Sequence, residues 1–221
     1  MALRLFDNDQ SSAPRPKFAD DVVGRFRSGY QVNGRPATLE KWRVTTGDPE
    51  VAAEVHTLLG GKDEAAEWET KGEDNLELFT DTTTVPIIIE PDGIRSEMVL
   101  WGQKGAIRRC DGATQKDPMK GQPCACPSTL ADRKDAAKAG HGCQPSITVV
   151  FRLADNPGLG KFRFTSGSWQ LARDINEVEE ALASAEGPAT ATLGLQVVEF
   201  TTKENQKRRF IKPVISVEGA A

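Results

Sequence analysis

Ile147-Thr148-Val149-Val150-Phe151-Arg152-Leu153 places large apolar side chains at 147, 149, 151 and 153, with Thr148, Val150 and Arg152 between them. A period of two marks a strand that buries one face, because successive side chains point to opposite sides of a pleated backbone. Asn156-Pro157-Gly158 follows as a turn, and residues 161–165 are placed to return alongside. This stretch implies an antiparallel sheet.

The same pattern recurs on both sides. Downstream, residues 190–202 and 208–217 read as a hairpin around Lys203-Glu204-Asn205-Gln206. Upstream, residues 76–80, 85–90 and 97–101 read as three strands. Nearer the start, Phe26, Ser28, Tyr30 and Val32 alternate with Arg25, Arg27 and Gln31, Asn33-Gly34 signals a tight turn, and residues 39–44 return. Two helices interrupt the strands. Asp48 caps the first, Pro49 takes its first position, Val51, Val55, Leu58 and Leu59 share a face, and Gly60-Gly61 ends it. Asp174 is the expected cap of the second, with Ile175, Val178, Ala181 and Leu182 inward and Gly187-Pro188 beyond its end. Residues 63–68 suggest a further helical turn that buries Trp68. The fold class is therefore α+β: strand-rich antiparallel sheets, two main helices and a zinc-bound loop insertion.

That insertion, at about residues 104–145, holds all four cysteines of the 221-residue chain. Cys110, Cys124, Cys126 and Cys143 fall within 34 residues, spaced C-x13-C-x-C-x16-C. Four thiolates fill a tetrahedral zinc shell and leave no open position for water, so the expected role is structural. Fingers and ribbons more often offer two C-x(2–4)-C pairs, so the match rests on ligand number and clustering. A C-x-C chelate suits a loop better than a regular helix or strand. His141 is the alternative to one thiolate. The competing readings are free or redox-active thiols and disulfides, the latter requiring an oxidising compartment. Residues 116–123 read as an exposed loop, and Ser128 as the cap of a short helix ending before Gly140. A segment so poor in large apolar side chains needs a metal in place of a core.

Residues 1–17, with Asp7-Asn8-Asp9-Gln10-Ser11-Ser12, Pro14 and Pro16, are expected to form a flexible arm. Residues 18–217 then make a single domain, and 218–221 a short tail. At 38% hydrophobic and 27% charged, the chain can bury one core. No apolar run approaches the ~18 residues of a membrane span. Asp7 and Asp9 stand where a secretory signal would be apolar, so a cytoplasmic protein with reduced thiols is expected.

The net charge of −4 argues against a protein that holds DNA chiefly through its phosphates. Its distribution is uneven. Residues 46–95 carry 13 acidic and three basic side chains, whereas residues 101–145 carry eight basic and four acidic. Such asymmetry suits steering toward a basic partner, although a merely solvated acidic face is the plainer reading.

No catalytic constellation emerges, and no enzyme is expected. Gly158-Leu159-Gly160-Lys161 lacks the spacing and the Ser/Thr of a P-loop, and Gly167-Ser168-Trp169 is no nucleophile elbow. Two histidines do not support a His-dependent hydrolase. Stacking of single-stranded DNA would fall to Tyr30 with Arg27, or to Phe210 with Lys207, Arg208 and Arg209. Trp42, Trp68, Trp101 and Trp169 are the tryptophans, and rings in strand patterns are mostly core.

Several long runs go further. They are Phe18-Ala19-Asp20-Asp21-Val22-Val23-Gly24-Arg25-Phe26-Arg27-Ser28-Gly29-Tyr30, Trp42-Arg43-Val44-Thr45-Thr46-Gly47-Asp48-Pro49 and Glu97-Met98-Val99-Leu100-Trp101-Gly102. Gly142-Cys143-Gln144-Pro145-Ser146, Phe151-Arg152-Leu153-Ala154-Asp155 and Val198-Glu199-Phe200-Thr201-Thr202-Lys203 belong with them. Over about residues 18–217 the chain resembles the actinobacteriophage early proteins that act as recombination directionality factors. The resemblance implies a regulator that binds a DNA-bound large serine integrase, switches it from integration to excision and cuts no DNA. It supplies no catalytic residues and leaves self-association open; little direct nucleic-acid binding and no membrane are expected from the charge and the short apolar runs. Leu3, Leu5, Phe6 and the zinc loop are candidate contacts. The alternative is a phage replication or recombination accessory protein that binds single-stranded DNA.

Overall fold

The structure, a computed structural model, describes residues 22–32, 35–70, 72–116, 119–202 and 205–221, with the side chains of residues 32, 35 and 36 excepted. The 1–17 arm with Leu3, Leu5 and Phe6, the Asn33-Gly34 turn, and part of the 116–123 and 203–206 loops lie outside the described residues.

Ten strands form one sheet: β1 (Gly24–Val32), β2 (Arg35–Thr46), β3 (Ala66–Glu67), β4 (Leu76–Phe79), β5 (Thr84–Gly102), β6 (Gly105–Cys110), β7 (Gln144–Leu153), β8 (Phe162–Ser166), β9 (Ala189–Thr201) and β10 (Lys207–Ala220). The order is β10-β9-β5-β7-β8-β1-β2-β4-β3, with β6 on β5. Helices α1 (Pro49–Leu59), α2 (Leu130–Lys138) and α3 (Trp169–Ser184) complete a strand-rich α+β fold. Among the described residues every strand pair is antiparallel except β1 with β8, where Phe26 lies opposite Phe164. That parallel pair closes the sheet between segments far apart in sequence, which no tight turn can do. The sheet also curls on itself. Trp42 N–H on β2 donates to Thr82 O at 3.1 Å, Thr80 N–H donates to Trp42 O at 2.9 Å, and Leu195 N–H on β9 donates to Thr83 O at 2.8 Å.

The opening heptapeptide behaves as its period requires. Ile147, Val149, Phe151 and Leu153 are buried at the centre of the sheet, between β5 and β8. They join a core whose aromatic centre is Phe26, edge-on to Trp42 at 5.7 Å, to Phe151 at 5.3 Å and to Phe162 at 5.5 Å. Asp48 caps α1 by accepting from Glu50 N–H at 2.8 Å, and Gly60 ends it with φ 68, a conformation that favours glycine.

Several expectations are corrected. The strands expected at 85–90 and 97–101 are one strand, β5, whose pairing shifts between Ile89↔Phe151 and Ile94↔Val149. Glu90-Pro91-Asp92-Gly93, at the shift, forms a bulge. Residues 63–68 are not helical: β3 pairs with β4, and Trp68 is half-buried. Helix α3 starts before Asp174, because Ser168 is its cap and accepts from Leu171 N–H at 3.3 Å. Thr129, not Ser128, caps α2. β10 runs on to Ala220, paired with Ala189. Of the four tryptophans only Trp42 is fully buried, and Trp101 is 47% exposed. Among the described residues no helix is long and apolar enough to cross a membrane.

Candidate functional site

The cysteine region grows out of the sheet. β6 ends at Cys110, directly opposite Met98 of β5, and β7 begins one residue after Cys143. Two thiols are therefore fixed by strands and buried, while Cys124 and Cys126 reach them from the intervening loop and are half-buried. That loop is ordered by its own polar groups. Asp111 Oδ1 accepts from Ala113 N–H at 2.8 Å and from Thr114 N–H at 2.7 Å, and Cys124 N–H donates to Ala113 O at 2.7 Å. Arg133 on α2 donates to Pro127 O and to Gly112 O, both at 2.6 Å, stitching the helix to the loop. α2 buries only Ala136, so it depends on such ties. Gly142 N–H donates to Ala136 O at 2.9 Å, and a Cβ at Gly142 would meet the Ala136 Cβ at 2.7 Å, so this approach to Cys143 needs glycine.

The sulfurs of Cys110, Cys124 and Cys143 all lie within 4.8 Å of one another, with Cys124 Sγ and Cys110 Sγ 3.2 Å apart. Zinc–sulfur bonds of ~2.3 Å put tetrahedral ligands about 3.8 Å apart, inside this spread. Cys126 is not one of that close trio, but its sulfur accepts from Cys143 N–H at 3.4 Å. All four thiols are free of disulfides. A cluster of soft sulfur donors can hold a metal ion, and zinc suits the donor set. His141 is exposed and stands outside the cluster.

Arg108 sits over the group. Its Nε approaches Cys143 Sγ and its Nη2 approaches Cys126 Sγ, each at 3.4 Å. Contact with Cys143 raises the Arg108 pKa above its ordinary value. Burial, then the hydrogen bond with Cys124, pushes the Cys110 thiol up to about 12. Burial also raises Cys143. At Cys126 burial works upward too, but the Cys143 N–H and thiol, the Cys124 thiol and Arg108 outweigh it, and this thiol lies below its usual value.

The other sequence candidates separate. Tyr30 and Arg27 line one groove together with Trp68 and Phe79. At the far end of the β9–β10 hairpin, Phe210 is 37% and Phe200 47% exposed, in edge contact at 6.0 Å. Arg209 beside them is engaged, pairing with Glu40 of β2 at 2.7 Å. Sequence reasoning missed the groove and Arg108. The first depends on strand register, and the second reads only as one half of a charged pair before Cys110.

No solved structure matches the chain. A family model described as Gp3-like, recombination directionality factor-like, matches residues 23–218, from the first residue before β1 nearly to the end of β10. The cysteine cluster and nearly the whole sheet fall within that match, and the chain belongs to the Gp3-like, recombination directionality factor-like family.

Proposed function

We propose that this protein binds a DNA-bound large serine integrase in the bacterial cytoplasm and switches it from integration to excision, without cutting DNA itself. The observation that carries this reading is the family match over residues 23–218. The chain's acidic stretch, 13 acidic against three basic side chains over residues 46–95, supports a protein partner that is itself basic and already on DNA. The regulator needs only to bind the excision-competent arrangement of its partner more tightly than the integration-competent one.

We further infer that Cys110, Cys124, Cys126 and Cys143 hold a structural zinc ion within a single domain. The spacing of the sulfurs and the loop that carries two of them support this. Bound zinc would supply a fixed anchor of four sulfurs. The chain's own residues do the rest: β6 and β7 set two thiols, the 111–126 loop presents two more, and Arg108 offsets the negative charge that thiolates bring.

Gel retardation tests the partner. Addition of the protein should slow the migration of integrase–attachment-site complexes and leave naked DNA unshifted. Salt-sensitive binding to naked single-stranded DNA, with no effect on the integrase complex, would favour the second reading, which the exposed Phe200–Phe210 pair beside Lys207 and Arg208 supports.

A further inference from the structure

A groove of about 860 Å³ opens on β1, β2 and β4. It lies at a register shift between β1 and β2: Arg27 lies opposite Arg43, but Gly29 lies opposite Thr38, so four residues of β2 bulge out opposite one of β1. Arg27 and Tyr30, three residues apart on β1, both line the groove at this irregular pairing. Arg43, only 5% exposed, lies 4.4 Å from the Trp68 ring centre and 5.8 Å from that of Phe79, and its Nε donates to Glu77 at 2.7 Å. Tyr30 meets Phe79 edge-on at 5.9 Å, and these two rings remain 37% and 44% exposed. Ion pairs and rings thus fix the floor, while aromatic surface is left uncovered.

The surroundings are acidic. Residues 63–77 carry seven acidic side chains and one basic. Asp74 pairs with Arg25 and Glu77 with Arg43, but Asp63, Glu64, Glu67, Glu69 and Glu73 make no ion pair among the described residues. Glu69 lines the groove itself. Glu69 at the groove, within an acidic stretch of chain, repels a phosphate backbone and attracts lysine and arginine.

We propose that this groove docks a basic, amphipathic segment of the protein partner: an apolar side chain against Tyr30 and Phe79, with flanking lysines or arginines toward Glu69 and its neighbours. Arg27, which donates through Nε to Thr45 Oγ1 at 2.9 Å and makes no ion pair among the described residues, can also donate to a carbonyl of the docked segment. The assignment rests on the protein-partner reading above and gives it a surface.

The test is titration of the full chain onto the integrase–attachment-site complex at fixed salt. The variants are Glu69→Lys, Tyr30→Ser and, as a charge-matched control on α3, Glu180→Lys, each checked by its melting curve. Glu69→Lys and Tyr30→Ser should each weaken binding about tenfold or more, and Glu180→Lys should leave it unchanged. Equal binding by wild type and both groove variants overturns the docking site and spares the partner. Absence of binding by wild type overturns both. Loss of binding to a single-stranded oligonucleotide instead, by Tyr30→Ser, would assign the groove to nucleic acid and overturn the proposal.

Discussion

Arg109 on β6 donates to the carboxylate of Glu97 on β5 at 2.7 Å, and that carboxylate is only 5% exposed. Arg95 and Lys116 each approach the same group at 3.9 Å. One buried acid therefore gathers cations from β5, from β6 and from the loop that leads on to Cys124. It ties the cysteine region to the sheet independently of any metal.

Glu97→Ala leaves those three cations facing one another with nothing between them. The expected cost is about 1–3 kcal/mol of unfolding free energy, because a buried acceptor that serves charged donors is lost. Denaturant unfolding measures it. Hydrogen exchange should rise first in residues 105–126, where the tie is made.

If the four cysteines hold zinc as proposed, its removal should loosen the same region. A chelator should lower the melting temperature of the purified protein, and Cys124→Ser should abolish zinc uptake while the sheet persists in circular dichroism. The pH dependence has a definite sign. Cys110 and Cys143 have raised pKa values, so in the metal-free cluster these two thiols hold their protons at neutral pH and must release them for zinc to bind. Affinity should therefore rise with pH and be lost in acid, with proton release visible by calorimetry in buffers of different ionisation enthalpy. A metal content unchanged by Cys124→Ser would remove the site.

Arg108→Leu keeps all four thiols but removes the cation beside Cys126 and Cys143. Zinc should then pass faster to a competing chelator. Arg108→Lys should restore part of the retention, since it keeps the charge but loses the two-point contact. Identical release rates for all three proteins would show that the guanidinium does nothing for the cluster.

Trp42 tests the core. Its ring packs edge-on against Phe26 at 5.7 Å and Phe164 at 5.1 Å, while its buried indole Nε1 has no hydrogen-bond partner among the described residues. Trp42→Ala should cost about 3–5 kcal/mol by opening a cavity. Trp42→Phe should cost markedly less, because the ring packing is kept and the N–H it removes has no partner among the described residues. Equal losses in the two variants would contradict this packing.

Where the determinants are local, the fold was legible in the sequence. The alternation at 147–153 reports its own burial, and Asp48, Pro49 and Gly60 mark α1 within a few residues. The failures share a physical cause in contacts made over long distances. Glu90-Pro91-Asp92-Gly93 looks like the end of a strand because nothing nearby says that β7 pairs with both of its flanks. Trp68 looks like a core residue, since its partner Arg43 lies on another strand. Ser168 and Asp174 are both competent caps, and the earlier one prevails because Leu171 is buried in the same face as Ile175, Val178 and Leu182. The four cysteines were legible as a group. The place of Arg108 over them, and of Tyr30 beside Arg27, follows from register alone.

The central claim is that this protein redirects an integrase, and recombination in vitro tests it most directly. The hybrid attachment sites produced by integration are incubated with the neighbouring integrase, with and without this protein. Integrase alone should leave them unrecombined, and the added protein should yield excision product while suppressing recombination of the original pair. No gain in excision across a full titration, with the protein folded and metal-loaded, would contradict the account.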